Sequence, residues 1–258
     1  MKKIICLVLV FVLALAVVAC TPNAEQDSST AASSTSSSSS SSTIGSDPIV
    51  PDADVMTWEE YIAAELDTEV IIEAYVQAKQ AWWFDDSVGH GKGTFYLQDE
   101  DGGYFLYELN CTEDEYNALT VGTKVRVTGY KAEWSGEIEI IDATVEILEG
   151  NFIATPVDVT ALLGKDELIN YQNMLVEFKG LTVVSFTYSK GYVGSDLEVK
   201  LSLDGAEYTF YVESYLTNSD TEVYKAVEAL EAGDVIDVVG FAYWYNGINT
   251  HITSITVK

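Results

Sequence analysis

The chain has 258 residues, 48% of them apolar, and sets 13 Lys and Arg against 41 Asp and Glu, a formal net charge of −28. That length fits two small domains with real cores. The charge disfavours nucleic acid as a partner, because affinity for it comes largely from neutralising phosphates with Lys and Arg.

Residues 1–20 begin with Lys2 and Lys3 and continue as an apolar run from Ile4 to Ala19. That is the layout of a secretory signal, too short and too close to the terminus for a membrane-spanning helix. The run ends Val17-Val18-Ala19-Cys20, which resembles the bacterial lipobox. The resemblance implies that the Cys20 thiol takes a diacylglycerol group and becomes the new N-terminus. The protein would then be exported and lipid-anchored to the outer face of the bacterial cytoplasmic membrane, or to an outer membrane if the host has one. Residues 21–54 are rich in Ser, Thr, Ala and Asp, with an unbroken run from Ser36 to Ser42. Such a tract has nothing to bury, so a flexible tether is expected, with a reach on the order of 30 Å.

Residues 55–150 read as the first domain. Thr57 and Glu60 form a capping box for a short helix whose apolar face is Trp58, Tyr61, Ile62 and Leu66. Val70 to Ala78 alternates as a strand. A loop from Trp83 to Gly93 follows. Thr94–Gln98 and Tyr104–Leu109 then flank Asp99-Glu100-Asp101-Gly102-Gly103 as a hairpin. A short helix, Glu113–Leu119, precedes strands Lys124–Trp134 and Glu137–Leu148. The second domain, residues 155–258, repeats the order. Val159–Ile169 is the leading helix, weakened by Gly164. Strands Leu175–Phe186, Leu197–Leu203 and Tyr208–Val212 follow, then a helix Thr221–Leu230 and strands Val235–Tyr245 and Ile248–Val257.

The two domains are copies. Gly122–Gly136, GTKVRVTGYKAEWSG, recurs 111 positions later as Gly233–Gly247, GDVIDVVGFAYWYNG, without a gap. Gly129 matches Gly240 and Trp134 matches Tyr245. Beyond the shared segment the match drifts, and a one-residue slip is expected between the last strands. Five strands with a helix between the third and fourth is the OB-fold order. The expected architecture is therefore all-β with short helices: two tandem OB-fold-like, five-stranded Greek-key barrels, each preceded by a short helix. Mid-strand Gly129 and Gly240 suit a bulge or bend at the barrel corner. Over residue 55 to the end, plus the lipobox, the chain resembles exported bacterial lipoproteins with tandem OB-fold domains. That resemblance implies a fold and an address, and carries no catalytic residues.

Chemistry-bearing residues are sparse. Cys111 stands alone in the folded part and reads as a small buried residue at a strand end. His90 and His251 fall in different domains without metal-ligand spacing. Gly89-His90-Gly91-Lys92-Gly93 lacks the Ser/Thr and the strand-to-helix context of a phosphate loop. The Asp99–Gly103 turn lacks a distal calcium ligand, and Asp85-Asp86 is unremarkable in so acidic a chain. No catalytic residue, metal ligand or cofactor is assigned, and the chain reads as a non-enzyme. What remains is aromatic: Trp82, Trp83 and Phe84 at the first loop, Trp134 by the last turn, Tyr188 and Tyr192 in the matching loop, and Trp244 and Tyr245 by the matching turn. Three adjacent aromatics cannot share one strand face. They form either a stacking platform for sugar rings or bases, or core and inter-domain packing. The leading expectation is a lipid-anchored envelope binding module whose ligand is a carbohydrate or a protein. The alternatives are a single-stranded nucleic-acid-binding protein at the cell surface and a structural or assembly lipoprotein.

Overall fold

A computed structural model describes residues 55–258. The signal, Cys20 and the serine tether lie outside the described residues.

The first element is α1 (Trp58–Ala63). Thr57 Oγ1 accepts the Glu60 N–H, and the Glu60 carboxylate accepts the Thr57 N–H, which completes the capping box. Six residues cannot hold a helix alone. The far end of α1 is held by Lys131, only 5% exposed. Its Nζ donates to the carbonyls of Tyr61 at 2.9 Å and of Ile62 and Ala64 at 2.8 Å. An ammonium group thus satisfies carbonyls that the last turn leaves open.

The first barrel follows as β1 (Glu69–Lys79), β2 (Trp83–Asp85), β3 (His90–Gln98), β4 (Gly103–Asn110), α2 (Glu113–Ala118), β5 (Thr123–Trp134) and β6 (Glu137–Asn151). Antiparallel pairing joins β1 to both β3 and β5, β3 to β4, and β5 to β6. β4 runs parallel to β6 and closes the sheet on itself. That is the OB-fold circuit, with α2 between the third and fourth barrel strands. Alternate residues of β1 (Val70, Ile72, Ala74, Val76) meet Phe95, Leu97, Leu106, Val125, Val127 and Ile140 inside.

The second barrel comprises β7 (Val157–Asp158), β8 (Leu175–Tyr188), β9 (Leu197–Leu203), β10 (Ala206–Val212), α3 (Glu222–Glu228), β11 (Val235–Phe241) and β12 (His251–Val257). It closes by the same circuit, with β10 parallel to β12. The connection at residues 152–156 is pinned to the first barrel. Gln77 Oε1 accepts the Ala154 N–H at 2.8 Å, Gln77 Nε2 donates to the Phe152 carbonyl, and the Phe152 ring lies 5.4 Å from Tyr75.

Both sheets have six strands rather than five. In the first barrel the extra strand comes from the segment expected to be a loop, where Trp83 pairs Lys92 and Asp85 pairs His90. In the second it is β7, two residues laid parallel to β8. The leading helix expected over Val159–Ile169 is instead two 3-10 turns, Thr160–Leu162 and Asp166–Tyr171. Gly164 between them sits at φ +81°, where a helix cannot continue, and a Cβ there would meet the Tyr208 hydroxyl at 2.7 Å. β11 ends four residues earlier than expected. Past Phe241 the backbone leaves the sheet, and Ala242 exchanges hydrogen bonds with Asn173 and Met174.

Gly129 and Gly240 stand opposite bulges, as their positions foretold. The β5–β6 register shifts at Gly129 and the β11–β12 register at Gly240. A Cβ would fall 2.8 Å from the Ile141 carbonyl at the first and 2.3 Å from the His251 carbonyl at the second. The slip between copies is real: Thr128 faces Thr144, while its counterpart Val239 faces Ser254.

Replacing Lys131 with Met keeps the stem but takes the ammonium donor from three carbonyls at the end of α1. Urea unfolding of Lys131→Met should show a loss of about 2 kcal/mol or more, whereas exchange of a paired surface lysine such as Lys200→Met should cost less than about 1 kcal/mol.

Candidate functional site

The duplicated hairpins meet tip to tip. Both turn through left-handed residues, Ser135-Gly136 in the first copy and Asn246-Gly247 in the second. The Asn246 N–H donates to the Ser135 carbonyl at 2.7 Å, and the rings of Trp134 and Tyr245, which match in the repeat, lie 5.1 Å apart. Around this contact Gln172 Nε2 donates to the Gly136 carbonyl, Asn173 Nδ2 to the Ile138 carbonyl, and the Leu175 N–H to Gln98 Oε1. Gly103 is needed here, because a Cβ on it would lie 2.4 Å from the Asn173 carbonyl carbon.

Behind the tips an aromatic cluster joins the barrels. Tyr96 stacks on Phe241 at 4.2 Å, Phe105 meets Tyr243 at 5.4 Å, and Tyr243 stacks on His251 at 4.3 Å. Tyr96 Oη lies 2.6 Å from His251 Nδ1. Burial pushes the His251 imidazole down to about 3 and the Tyr96 phenol well up. Both groups are therefore neutral, and a single proton lies between the Tyr96 oxygen and His251 Nδ1.

Glu137, first residue of β6, is fully buried in the same junction. One carboxylate oxygen accepts the Trp244 N–H at 2.7 Å and Gln172 Nε2 at 3.2 Å. The other, Oε1, has no partner, and neither has Asn173 Oδ1. Burial pushes the Glu137 carboxyl up to about 8; the Trp244 N–H and the amides of Asn173 and Gln172 pull the other way without offsetting it.

A groove opens beside this junction. It measures about 400 Å³ and is lined by Trp83, Thr94, Tyr107, Glu108 and Tyr215. Tyr215 belongs to the second barrel, and its carbonyl accepts the Ala81 N–H at 2.8 Å. A bulge aims Tyr107 and Glu108. The β3–β4 register shifts between Gly93 and Phe95, Glu108 sits at φ +47°, and its N–H donates to Thr94 Oγ1. Glu108 then pairs with Lys92 at 2.7 Å and accepts from the Tyr107 hydroxyl at 2.9 Å. Tyr107 also walls a smaller hollow of about 120 Å³ with Trp134, Tyr243 and Glu139.

The eight aromatics singled out in the sequence divide between several places. β2 alternates, so Trp83 faces the groove while Trp82 and Phe84 face a separate hollow with His90 and Cys111. Trp82 is half-buried, donating Nε1–H to the Cys111 carbonyl over Gly91, where a Cβ would strike its ring at 2.2 Å. Trp134 lines the smaller hollow, and Tyr245 packs against it at a tilt. Trp244 is half-buried against the second core. Tyr188 is tied to α3 through Glu228, and Tyr192 stands exposed on its loop; neither lines the groove. Tyr107, Tyr215, Tyr243, Glu137 and Glu139 are site residues that the sequence reading did not single out. The position of Tyr243 and Trp244 inside the repeated segment is the one signal that pointed their way.

No family model matches the chain, and no curated protein matches it. Solved structures that align with it include a tetrameric p202 HIN2 (10% identity, 75% of this chain and 96% of that one, TM-score 0.34). A murine DNA binding protein bound with double-stranded DNA also aligns (9% identity, 72% and 94%, TM-score 0.36). So does a Replication Protein A heterotrimer bound to single-stranded DNA (14% identity, 72% and 50%, TM-score 0.31). TM-scores this low leave the class to rest on the strand circuit described above. By that circuit the chain is a tandem of two OB-fold-like barrels.

The raised carboxyl at the junction sets a pH dependence. A folded-state value near 8 against an ordinary 4.5 means that the folded protein keeps a proton which the unfolded chain releases. Stability therefore falls as pH rises from about 4.5 to about 8, then levels. Glu139 and Glu213, both pushed up to about 7, add in the same direction. Glu137→Gln should flatten the slope and, near pH 8.5, exceed the wild type by on the order of 2 kcal/mol in urea unfolding.

Proposed function

We propose that the chain is a non-catalytic, lipid-anchored binding protein of the bacterial envelope, held through Cys20, and that its ligand is a carbohydrate lying in the junction groove. One observation carries the reading: Trp83, Tyr107 and Tyr215 stand 43%, 39% and 59% exposed around one hollow of about 400 Å³. Large aromatics left uncovered around a concave surface of this size are what a ring-shaped ligand stacks on. The bulge that turns Tyr107 and Glu108 toward the hollow supports it, since left-handed backbone at a glutamate costs energy that burial alone does not explain. Glu108, Thr94 and Gln80 offer hydrogen-bonding partners for hydroxyl groups. Anchor and tether are read from residues 1–54 alone.

The second reading is single-stranded nucleic acid, favoured by OB-like barrels with exposed aromatics beside the second and third barrel strands. Electrostatics weigh against it. Lys92 is held by Glu108, Lys79 donates to the Tyr116 carbonyl, and Lys131 is buried under α1. A backbone-tracking groove needs free positive charge.

A glycan library and a labelled oligonucleotide, titrated against the full chain by tryptophan fluorescence, separate the two. The expected result is saturable sugar binding, nearly unchanged between about 50 and 300 mM salt, and weakened about tenfold or more by Trp83→Ala but not by Phe84→Ala. Oligonucleotide binding that collapses with salt would replace this reading with the second. Silence from both would leave the groove to a protein partner.

A further inference from the structure

The smaller hollow is a different site from the sugar groove. Glu139 lines it and is 8% exposed. Among the described residues no hydrogen bond or ion pair reaches its carboxylate, so the hollow it lines is the one place from which a partner can answer its charge. Its neighbours across the sheet are Ala132 on β5 and Phe105 on β4. Three aromatic rings surround it: Tyr107 from β4, Trp134 from the end of β5, and Tyr243 from the second barrel. Tyr243 is fixed by stacking on His251, and Trp134 by Tyr245. The walls are therefore built by packing on both barrels.

We propose that this hollow is an aromatic cage for an organic ammonium group, with Tyr107, Trp134 and Tyr243 as its walls and Glu139 as its counter-charge. Ring faces carry negative quadrupole potential and attract a cation lying over them, most strongly where water is excluded. A space of about 120 Å³ suits a head the size of trimethylammonium and is too small for a sugar ring. A neutral occupant would leave the Glu139 carboxylate unanswered, whereas a quaternary ammonium answers the charge without needing hydrogen bonds. The surrounding titratable groups are acidic or phenolic: Glu137 on the same strand, Glu108 and Tyr107 on β4, and Tyr243 with Glu213 from the second barrel. Lys92 is taken by Glu108. Burial, then Glu108, push the Glu139 carboxyl up to about 7. A bound cation favours the ionised form, so binding releases a proton near neutrality and tightens as pH rises through that value.

The test titrates the full chain with choline, with neohexyl alcohol as its neutral carbon isostere, and with phosphatidylcholine vesicles. Calorimetry in two buffers of different ionisation enthalpy follows heat and protons together. Choline should bind at least about tenfold more tightly than the isostere. Its affinity should rise several-fold from about pH 5.5 to about 8.5, with a fraction of a proton released near pH 7. Glu139→Gln should reduce the preference for choline and abolish the proton release, and Trp134→Leu should weaken choline about tenfold. Circular dichroism checks that both variants are folded. Vesicle binding that choline displaces would name a lipid headgroup as the source; choline binding without vesicle binding would name a soluble or polymer-borne one. Equal affinity for choline and isostere, unchanged binding by Glu139→Gln, or no choline binding at all would overturn the proposal. Trp83→Ala separates this site from the sugar reading, because it should leave choline binding intact whether or not sugars bind.

Discussion

Everything between the barrels depends on a hairpin meeting a copy of itself. The Gly122–Gly136 and Gly233–Gly247 segments each turn through a left-handed pair, and each turn brings a large aromatic to its tip. Once Trp134 lies against Tyr245 and the Asn246 N–H against the Ser135 carbonyl, the start of β6 is covered. That is why Glu137 is buried and why its carboxyl resists ionisation. The same contact swings residues 242–249 out of the β11–β12 ladder, which frees Tyr243 to fill the space beside Phe105 and His251. Groove and cage are thus by-products of one packing event rather than features of either barrel.

The junction is also unusually polar for the closeness of its fit. Backbone groups of one barrel are satisfied by side-chain amides of the other, Gln172, Asn173 and Gln98 among them. Hydrogen bonds of this kind are directional, so they fix the angle between the barrels more than they add stability. The aromatic stack of Tyr96, Phe241, Phe105 and Tyr243 supplies the non-directional part. A site whose walls come from two barrels needs both: area to hold them together, and geometry to keep Tyr243 and Tyr215 in place.

Much of this is legible in the sequence. Thr57 with Glu60 marked the first helix, the glycine-bounded repeat marked two equivalent barrels, and Gly129 and Gly240 marked their bends. Local rules sufficed there because the cause is local: a cap, a turn, a residue without a Cβ. The leading helix of the second barrel is not legible, because Val159–Ile169 has helical apolar spacing and only the left-handed backbone at Gly164 makes that residue a break. The site was least legible. Glu139 lies on a strand position that alternation assigns to solvent, and it is the other barrel that covers it. Tyr107 is re-aimed by a bulge that no turn residue announces, with a glutamate in the left-handed position that usually goes to Gly or Asn. Trp83 could be separated from Trp82 and Phe84 by period alone, but which side carried the groove depended on Tyr215, far along the chain.

The five residues that link the barrels carry one more consequence. With Ala154 and Phe152 fastened to Gln77, the second barrel begins its path from a fixed point on the first. So short a leash keeps the two hairpin tips at an effective concentration in the millimolar range or above. Their mutual affinity can then be feeble, far too weak to join separate molecules at cellular abundance, and the junction still stays closed. A self-complementary tip on free barrels would close a two-fold pair only as far as its affinity and concentration allow; built into one chain, each copy covers the other's adhesive face. Joining the two copies in one chain therefore makes a concentration-dependent pairing a permanent one.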